Sequence, residues 1–270
     1  MARLMGIVNV TPDSFSDGGL FLDPERAIAH GLELAAAGAD ILDVGGESTR
    51  PGAAPVPAEE ELRRVGPVLE ALAGGAAAGV AVSIDTAKAS VAAAALDAGA
   101  EIVNDVTALR SDPDLAALCA ERRSTVILMH MLGTPRTMQE DPRYDDVVDD
   151  VRAFLAERIE AAVDAGIAEG QIWIDPGIGF GKTVAHNLEI LRRLGELRDL
   201  GRPVVVGASR KSFIGRLTGR EVTDRVGGTI AANVVALAHG AEVLRVHDVA
   251  EMRDAAATAE VILGRADWRR

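Results

Sequence analysis

Gly38-Ala39-Asp40-Ile41-Leu42-Asp43 decides the fold, because the chain uses the same pattern twice more. Gly99-Ala100-Glu101-Ile102-Val103-Asn104 and Gly240-Ala241-Glu242-Val243-Leu244-Arg245 follow it. Glycine suits the left-handed turn that ends a helix, and a short apolar strand follows at once. The fifth residue after each glycine is Asp43, Asn104 or Arg245. Side chains alternate along a strand, so three equivalent units set these polar groups at similar heights on their strands. A core position rarely carries such groups.

Working outward, other apolar runs end in the same way: Gly6-Ile7-Val8-Asn9-Val10, Val82-Ser83-Ile84-Asp85, Trp173-Ile174-Asp175-Pro176 and Val243-Leu244-Arg245-Val246-His247. Strands are predicted near 4–10, 40–44, 80–85, 101–105, 125–130, 172–175, 203–207 and 243–247. Longer helical stretches separate them, which reads as βα units around a parallel sheet. Eight such strands predict an α/β fold, a closed (β/α)8 TIM barrel, with an open doubly wound sheet as the structural rival. No linker-like break interrupts the chain, so residues 1–270 are read as one domain. A parallel barrel gathers its strand ends at one face, where chemistry sits.

Composition narrows the function. The chain has 270 residues, 48% of them hydrophobic, and 28 basic against 41 acidic residues give a formal charge of −13. Such a balance argues against nucleic-acid binding, which wants a basic face. It leaves room for an anionic small substrate, because a local cluster of Arg and Lys overrides the net field. Cys119 is the sole cysteine, so neither a disulfide framework nor a Cys-based zinc site is expected. No apolar h-region opens the sequence, and no run approaches the roughly 18 apolar residues of a spanning helix. A soluble cytoplasmic protein without membrane contact is expected.

Two loops look too long for simple connectors: 11–23 and 45–57, both rich in Gly, Pro and Ser. A third long segment, 131–145, follows the fifth strand. Gly177-Ile178-Gly179-Phe180-Gly181-Lys182-Thr183 resembles two phosphate motifs and matches neither. A Walker A pattern needs glycine at Pro176, and a dinucleotide fingerprint needs glycine at Lys182. A loop whose backbone approaches a flat ligand is the better reading.

Asp85, Asn104 and Asp175, if they point into the barrel mouth, offer two carboxylates and an amide to a polar heterocycle. The alternative is helix capping, since Asp85-Thr86 and Asp175-Pro176 both precede candidate helices. Ser209-Arg210-Lys211-Ser212 follows strand seven, where barrels often bind phosphate. Lys211, Arg245, His247 and Arg50 can form a cationic pocket for a phosphorylated substrate; solvated charge at a helix start is the alternative for Arg210 and Lys211. His130, between Met129 and Met131, is read as a core histidine rather than a ligand or base. No spacing suggests a Ser-His-Asp triad or a metal cage made of protein alone. Asn9 together with a bound diphosphate suits Mg2+, which takes few protein ligands.

Together these motifs resemble the dihydropteroate synthase family. The matching stretches are Met5 to Gly19, Asp43-Val44-Gly45-Gly46-Glu47-Ser48-Thr49-Arg50-Pro51-Gly52, Ser83-Ile84-Asp85-Thr86, Asn104-Asp105, Leu128-Met129-His130-Met131, Asp175 to Lys182, Ser209-Arg210-Lys211 and Arg245-Val246-His247-Asp248-Val249. They run in order from residue 5 to 249.

The resemblance implies a TIM barrel, usually dimeric, that condenses 6-hydroxymethyl-7,8-dihydropterin diphosphate with 4-aminobenzoate and releases diphosphate. It implies pterin binding by Asp85, Asn104, Met129, Asp175, Gly207 and Lys211. Asn9, Thr49, Arg50, Arg245 and His247 would hold the diphosphate, with Asn9 on Mg2+. The aminobenzoate pocket maps onto Phe15, Ser48, Thr49, Pro51, Phe180, Lys211 and Ser212. Asp85, Lys211 and Arg245 are the expected catalytic residues. Rival readings are a pterin-dependent methyltransferase, which needs no joint Ser48-Thr49-Arg50-Pro51 and Ser209-Arg210-Lys211 elements, and a non-catalytic pterin-binding paralogue.

Overall fold

Alternation of side chains along eight short strands separates an inner face from an outer one. In the computed structural model, which describes residues 1–11, 23–50 and 52–267, the strands are β1 (Arg3–Asn9), β2 (Ile41–Gly45), β3 (Ala81–Asp85), β4 (Ile102–Asp105), β5 (Thr125–Met129), β6 (Ile172–Asp175), β7 (Val205–Val206) and β8 (Val243–Val246). All pair in parallel, in the order β6-β5-β4-β3-β2-β1-β8-β7. A parallel bridge between Ile174 and Val204 spans the remaining gap, and the Ile174 amide donates to the Pro203 carbonyl over 3.0 Å. The barrel is nearly closed, as expected, rather than an open sheet. The expected strand positions hold, although β7 shrinks to two residues.

The helices are α1 (Pro24–Ala36), α2 (Ala58–Ala71), α3 (Ala89–Asp97), α4 (Pro113–Arg122), α5 (Val147–Asp164), α6 (Val184–Arg192), α7 (Ser212–Thr218), α8 (Val226–Ala238) and α9 (Val249–Ile262). Asp23, Asp112, Asp146 and Thr183 cap α1, α4, α5 and α6 by accepting backbone N–H groups, which satisfies amides the first turn leaves orphaned. The repeat glycines Gly38, Gly99 and Gly240 have φ of 98°, 106° and 104°. Each lets the chain leave a helix and enter a strand within two or three residues. Among the described residues no helix is long and apolar enough to cross a membrane.

Outward-facing strand residues such as Leu4, Leu42, Val82, Val103, Val126 and Leu244 join the large core beneath the helices. Inward-facing Met5, Ile41, Ile102, Ile127, Trp173, Val205 and Val243, with Ala81 against them, form a separate apolar cluster, one residue from each strand. Two residues farther along, the same face carries Ile7, Asp43, Ser83, Asn104, Met129, Asp175, Gly207 and Arg245. The barrel therefore has an apolar floor with a polar layer directly above it. Arg3 stacks its guanidinium 4.1 Å from the centre of the Trp173 ring and covers that floor.

Trp173 is the largest side chain in the floor, and no neighbour can fill its volume. Trp173→Ala is expected to cost about 3–5 kcal/mol, read as a lower midpoint in urea with an unchanged slope.

Candidate functional site

Asp43, buried without measurable exposure, is the hub of the polar layer. Its Oδ2 accepts from Arg245 Nε at 2.6 Å and from Asn104 Nδ2 at 3.1 Å. The other arm of the Arg245 guanidinium, Nη2, donates to Asp85 Oδ2 at 2.9 Å. The three repeat residues Asp43, Asn104 and Arg245 thus touch one another, and Arg245 links them to Asp85 on the next strand. Gly45 faces Asp85 across the strand pair, where a Cβ would lie 3.4 Å from the Asp85 Cβ, in ordinary contact.

Electrostatics follow from burial in this layer. Burial raises the Asp85 carboxyl above the usual carboxylate range, opposed by Arg245. It raises Asp175 as well, opposed by the Gly177 amide, which donates to Asp175 Oδ1 at 2.6 Å. Burial also works against the Arg245 cation, but Asp43 and Asp85 outweigh it and hold that charge firmly. Lys211 is brought down to about 8 by burial, helped by Arg245.

Above the layer opens a cavity of about 810 Å3. One wall is cationic: Arg50, Lys211 and Arg245 line it together with Asn9 and His247. His247 is held well below its ordinary value by burial and by Arg210 and its cationic neighbours, so it is neutral. Ser209 Oγ accepts the His247 amide at 3.2 Å and lies 3.0 Å from Nδ1. Arg210 also lines the cavity, but its guanidinium is paired with Asp248 through Nε at 3.1 Å and through Nη2. Ser48, Thr49, Asp85, Phe180, Gly207 and Ser212 also line the cavity.

The β6–α6 loop forms a third side. Gly177 and Gly181 have φ of 68° and 61°. A Cβ on Gly177 would run into the His130 carbonyl, and one on Gly181 would lie 2.7 Å from the Leu132 Cβ. These glycines let the loop lie directly on the backbone that leaves β5, which gives the Gly-rich spacing a packing reason. Lys182, 3% exposed, donates into this stack at His130 Nδ1 (2.8 Å) and the Phe180 carbonyl (3.0 Å). Burial brings Lys182 down to about 7, and burial with the Lys182 and Arg110 charges brings His130 to about 2. His130 is a neutral core histidine, edge-on to Phe154 at 4.9 Å. Phe180 stacks on Lys211, whose Nζ lies 4.1 Å from the ring centre.

Asn104, Met129 and Asp175 are nearly buried and lie outside the cavity wall, in the layer that supports it. The capping alternative for Asp85 and Asp175 does not hold, because Lys88 precedes α3 and Thr183 caps α6. Phe15 and Pro51, expected in the amine pocket, lie outside the described residues, as does most of the first long loop. The second loop is tied down by a trio with no sequence signal: Lys88 Nζ donates to Glu47 and to the fully buried Glu61. Glu47 also accepts the Val56 amide at 3.3 Å, closing the loop on itself. The Gly52 amide donates to the Pro135 carbonyl at 3.2 Å, joining the second loop to the segment after β5.

The model of the pterin binding enzyme family matches residues 5–247. The Escherichia coli dihydropteroate synthase is 46% identical over 268 residues, 99% of this chain and 94% of that protein. A probable bifunctional folylpolyglutamate synthase/dihydropteroate synthase of Haloferax volcanii is 50% identical over 92% of this chain, which spans only 29% of that longer protein. The Xanthomonas albilineans dihydropteroate synthase solved with 7,8-dihydropteroate superposes with a TM-score of 0.85 at 50% identity, covering 97% of this chain and 93% of that one.

Removing the cation from the layer tests its role. Arg245→Met leaves Asp43 and Asp85 as uncompensated buried charges and is expected to cost about 3–5 kcal/mol near neutral pH. Without Arg245 the folded carboxyls bind protons more tightly than the unfolded ones. The variant therefore recovers stability relative to wild type as pH falls through the carboxylate range, which denaturant midpoints at several pH values will read.

Proposed function

The chain belongs to the family of pterin-binding enzymes, and on that premise we infer that it catalyses the dihydropteroate synthase reaction. It is a transferase that condenses 6-hydroxymethyl-7,8-dihydropterin diphosphate with 4-aminobenzoate to give 7,8-dihydropteroate and diphosphate. One observation carries the reading: a carboxylate–amide layer lies directly beneath a cationic wall, in one cavity of a chain that matches known synthases nearly end to end.

The reaction breaks a C–O bond, so negative charge grows on the diphosphate and positive charge on the pterin methylene. Arg50, Arg245 and His247, with Thr49 beside them, meet the first. Asp85 meets the second, and its ionised oxygens accept N–H groups of the heterocycle. Asn104, Asp175 and Met129 are proposed to meet the heterocycle where it reaches down into the layer beneath the cavity, and Gly207 leaves room for it. Lys211 stands where pterin, diphosphate and amine meet. The amine attacks the methylene and then loses a proton, beside Ser48, Thr49, Phe180, Lys211 and Ser212. Phe15 and Pro51 belong to the same proposed pocket. The loops around it exclude water, which otherwise takes the cation.

Mg2+ is the proposed cofactor. Among the described residues no group of three or more His, Cys, Asp or Glu could hold a metal ion. The Asn9 amide oxygen, on the cavity wall at the end of β1, suits an ion that takes its other ligands from diphosphate and water. When bound, Mg2+ supplies charge to the leaving group. The enzyme is further proposed to be a cytoplasmic homodimer. Val235 on α8 and Ile262 and Leu263 at the end of α9 are exposed apolar side chains on contacting helices, and light scattering will show twice the chain mass.

Purified protein with Mg2+ and both substrates is expected to form dihydropteroate and diphosphate in equal amounts; pterin binding without product would favour the silent paralogue. EDTA abolishes turnover and Mg2+ restores it. Asp85→Asn lowers kcat by about 10²–10³-fold with the fold intact; unchanged turnover removes Asp85 from the mechanism. The ionised carboxylate is the working form, and burial raises its pKa above 3.8. In wild type kcat/KM is therefore lost as pH falls through that raised value, and the acid limb disappears in Asp85→Asn.

A further inference from the structure

Lys182 lies in the cavity wall, yet the proposed reaction gives it nothing to do. Its side chain is nearly buried, and its ammonium faces three neutral acceptors: His130 Nδ1 at 2.8 Å, the Phe180 carbonyl at 3.0 Å and the His130 carbonyl at 3.4 Å. An ammonium has three N–H donors, so this set uses all of them. Burial works against the charged form here, with Asp175 opposing it, and an apolar side chain of the same length would pack there without that penalty. What the ammonium adds is direction. It fixes the Phe180 carbonyl, while the Phe180 amide donates to Gly177 O at 3.0 Å. The peptide groups on both sides of Phe180 are therefore held, and its ring is set 4.1 Å from Lys211 Nζ.

The Phe180 ring also packs against Val106, Met129, Met131 and Met138, and other side chains hold the peptide groups around it. Gln139 Nε2 donates to the Gly179 carbonyl at 2.7 Å, and Tyr144 Oη donates to the Gly181 carbonyl at 2.7 Å. Asn187 Oδ1 accepts the Gly179 amide at 2.7 Å. The Phe180 carbonyl is left to Lys182.

We propose that Lys182, braced on His130, is a positioning residue for the arylamine: it sets the Phe180 ring that forms one side of the amine slot. The pterin is held mainly from the layer below, by Asp85 and Asn104. This rests on the proposed synthase reaction, which puts the amine beside Phe180.

The test is steady-state kinetics on Lys182→Met, Lys182→Gln, Phe180→Ala and the double variants. Lys182→Met is expected to raise KM for 4-aminobenzoate about tenfold, with kcat and KM for the pterin diphosphate within about twofold of wild type. Lys182→Gln keeps an N–H donor and falls between the two. On the Phe180→Ala background neither Lys182 substitution raises the amine KM further, because the group it positions is gone. Additive effects, an unchanged amine KM, or a loss confined to kcat would each overturn the proposal. If Lys182→Met does not fold, the Lys182→Gln cycle decides between the same outcomes. Failure of wild type to turn over sinks the synthase reaction instead; a normal wild type with an unshifted variant sinks only the positioning role.

Discussion

Arg245 is the residue on which the barrel interior depends. Two carboxylates, Asp43 and Asp85, stand on adjacent strands inside a protein core, a situation that is stable only if each finds a cation or a proton. One guanidinium serves both, because its planar fork reaches Asp43 with Nε and Asp85 with Nη2. Everything above inherits that geometry. Asn104 is oriented by the Asp43 oxygen that it shares with Arg245. Asp85, held from one side only, keeps its second oxygen for the cavity. A single ion network thus sets the heights and directions of the groups that meet the substrate.

A second constraint is the close approach of two backbones. The loop after β6 rests on the chain leaving β5, with no side chain between them at Gly177 and Gly181. That contact brings Asp175, Phe180 and Lys182 within reach of the residues on β5, β7 and β8. It also buries the Lys182 and His130 pair, which shields the stack from water and keeps the imidazole neutral. A loop held this way presents a rigid aromatic face without the entropy cost of ordering it when the substrate arrives.

Much of this is legible in the sequence because it follows from period. The Gly38, Gly99 and Gly240 repeats put Asp43, Asn104 and Arg245 in equivalent positions, and those three side chains meet in space. The repeat alone nevertheless assigns Asp43 no role, since nothing in one strand says which neighbour will place its cation opposite. The apolar floor is hidden for a related reason: Met5, Ile41 and Trp173 look like any strand residues until the barrel closes. Glu61 sits in the acidic first turn of α2, yet it is fully buried against Lys88, a partner set by tertiary packing. Arg210 and Lys211 are neighbours of the same charge and both line the cavity, and only the three-dimensional placement of Asp248 ties the first into an ion pair.

The chain carries a net charge of −13, and its reading as a binder of a highly anionic substrate turns on distance. Exposed carboxylates act through water, where charges farther apart than about 8–10 Å are largely screened at physiological salt. Arg50, Lys211 and Arg245 act across a cavity walled by protein, where screening is weak. Asp43 neutralises part of the Arg245 charge from below, away from the open cavity, and Asp85 does so at the cavity floor. The field at the mouth is therefore cationic although the molecule is acidic. The same separation answers how one site holds a diphosphate and a heterocycle that needs carboxylates. The negative groups sit in the deep layer, the positive groups line the wall above, and Arg245, which belongs to both, keeps them in register.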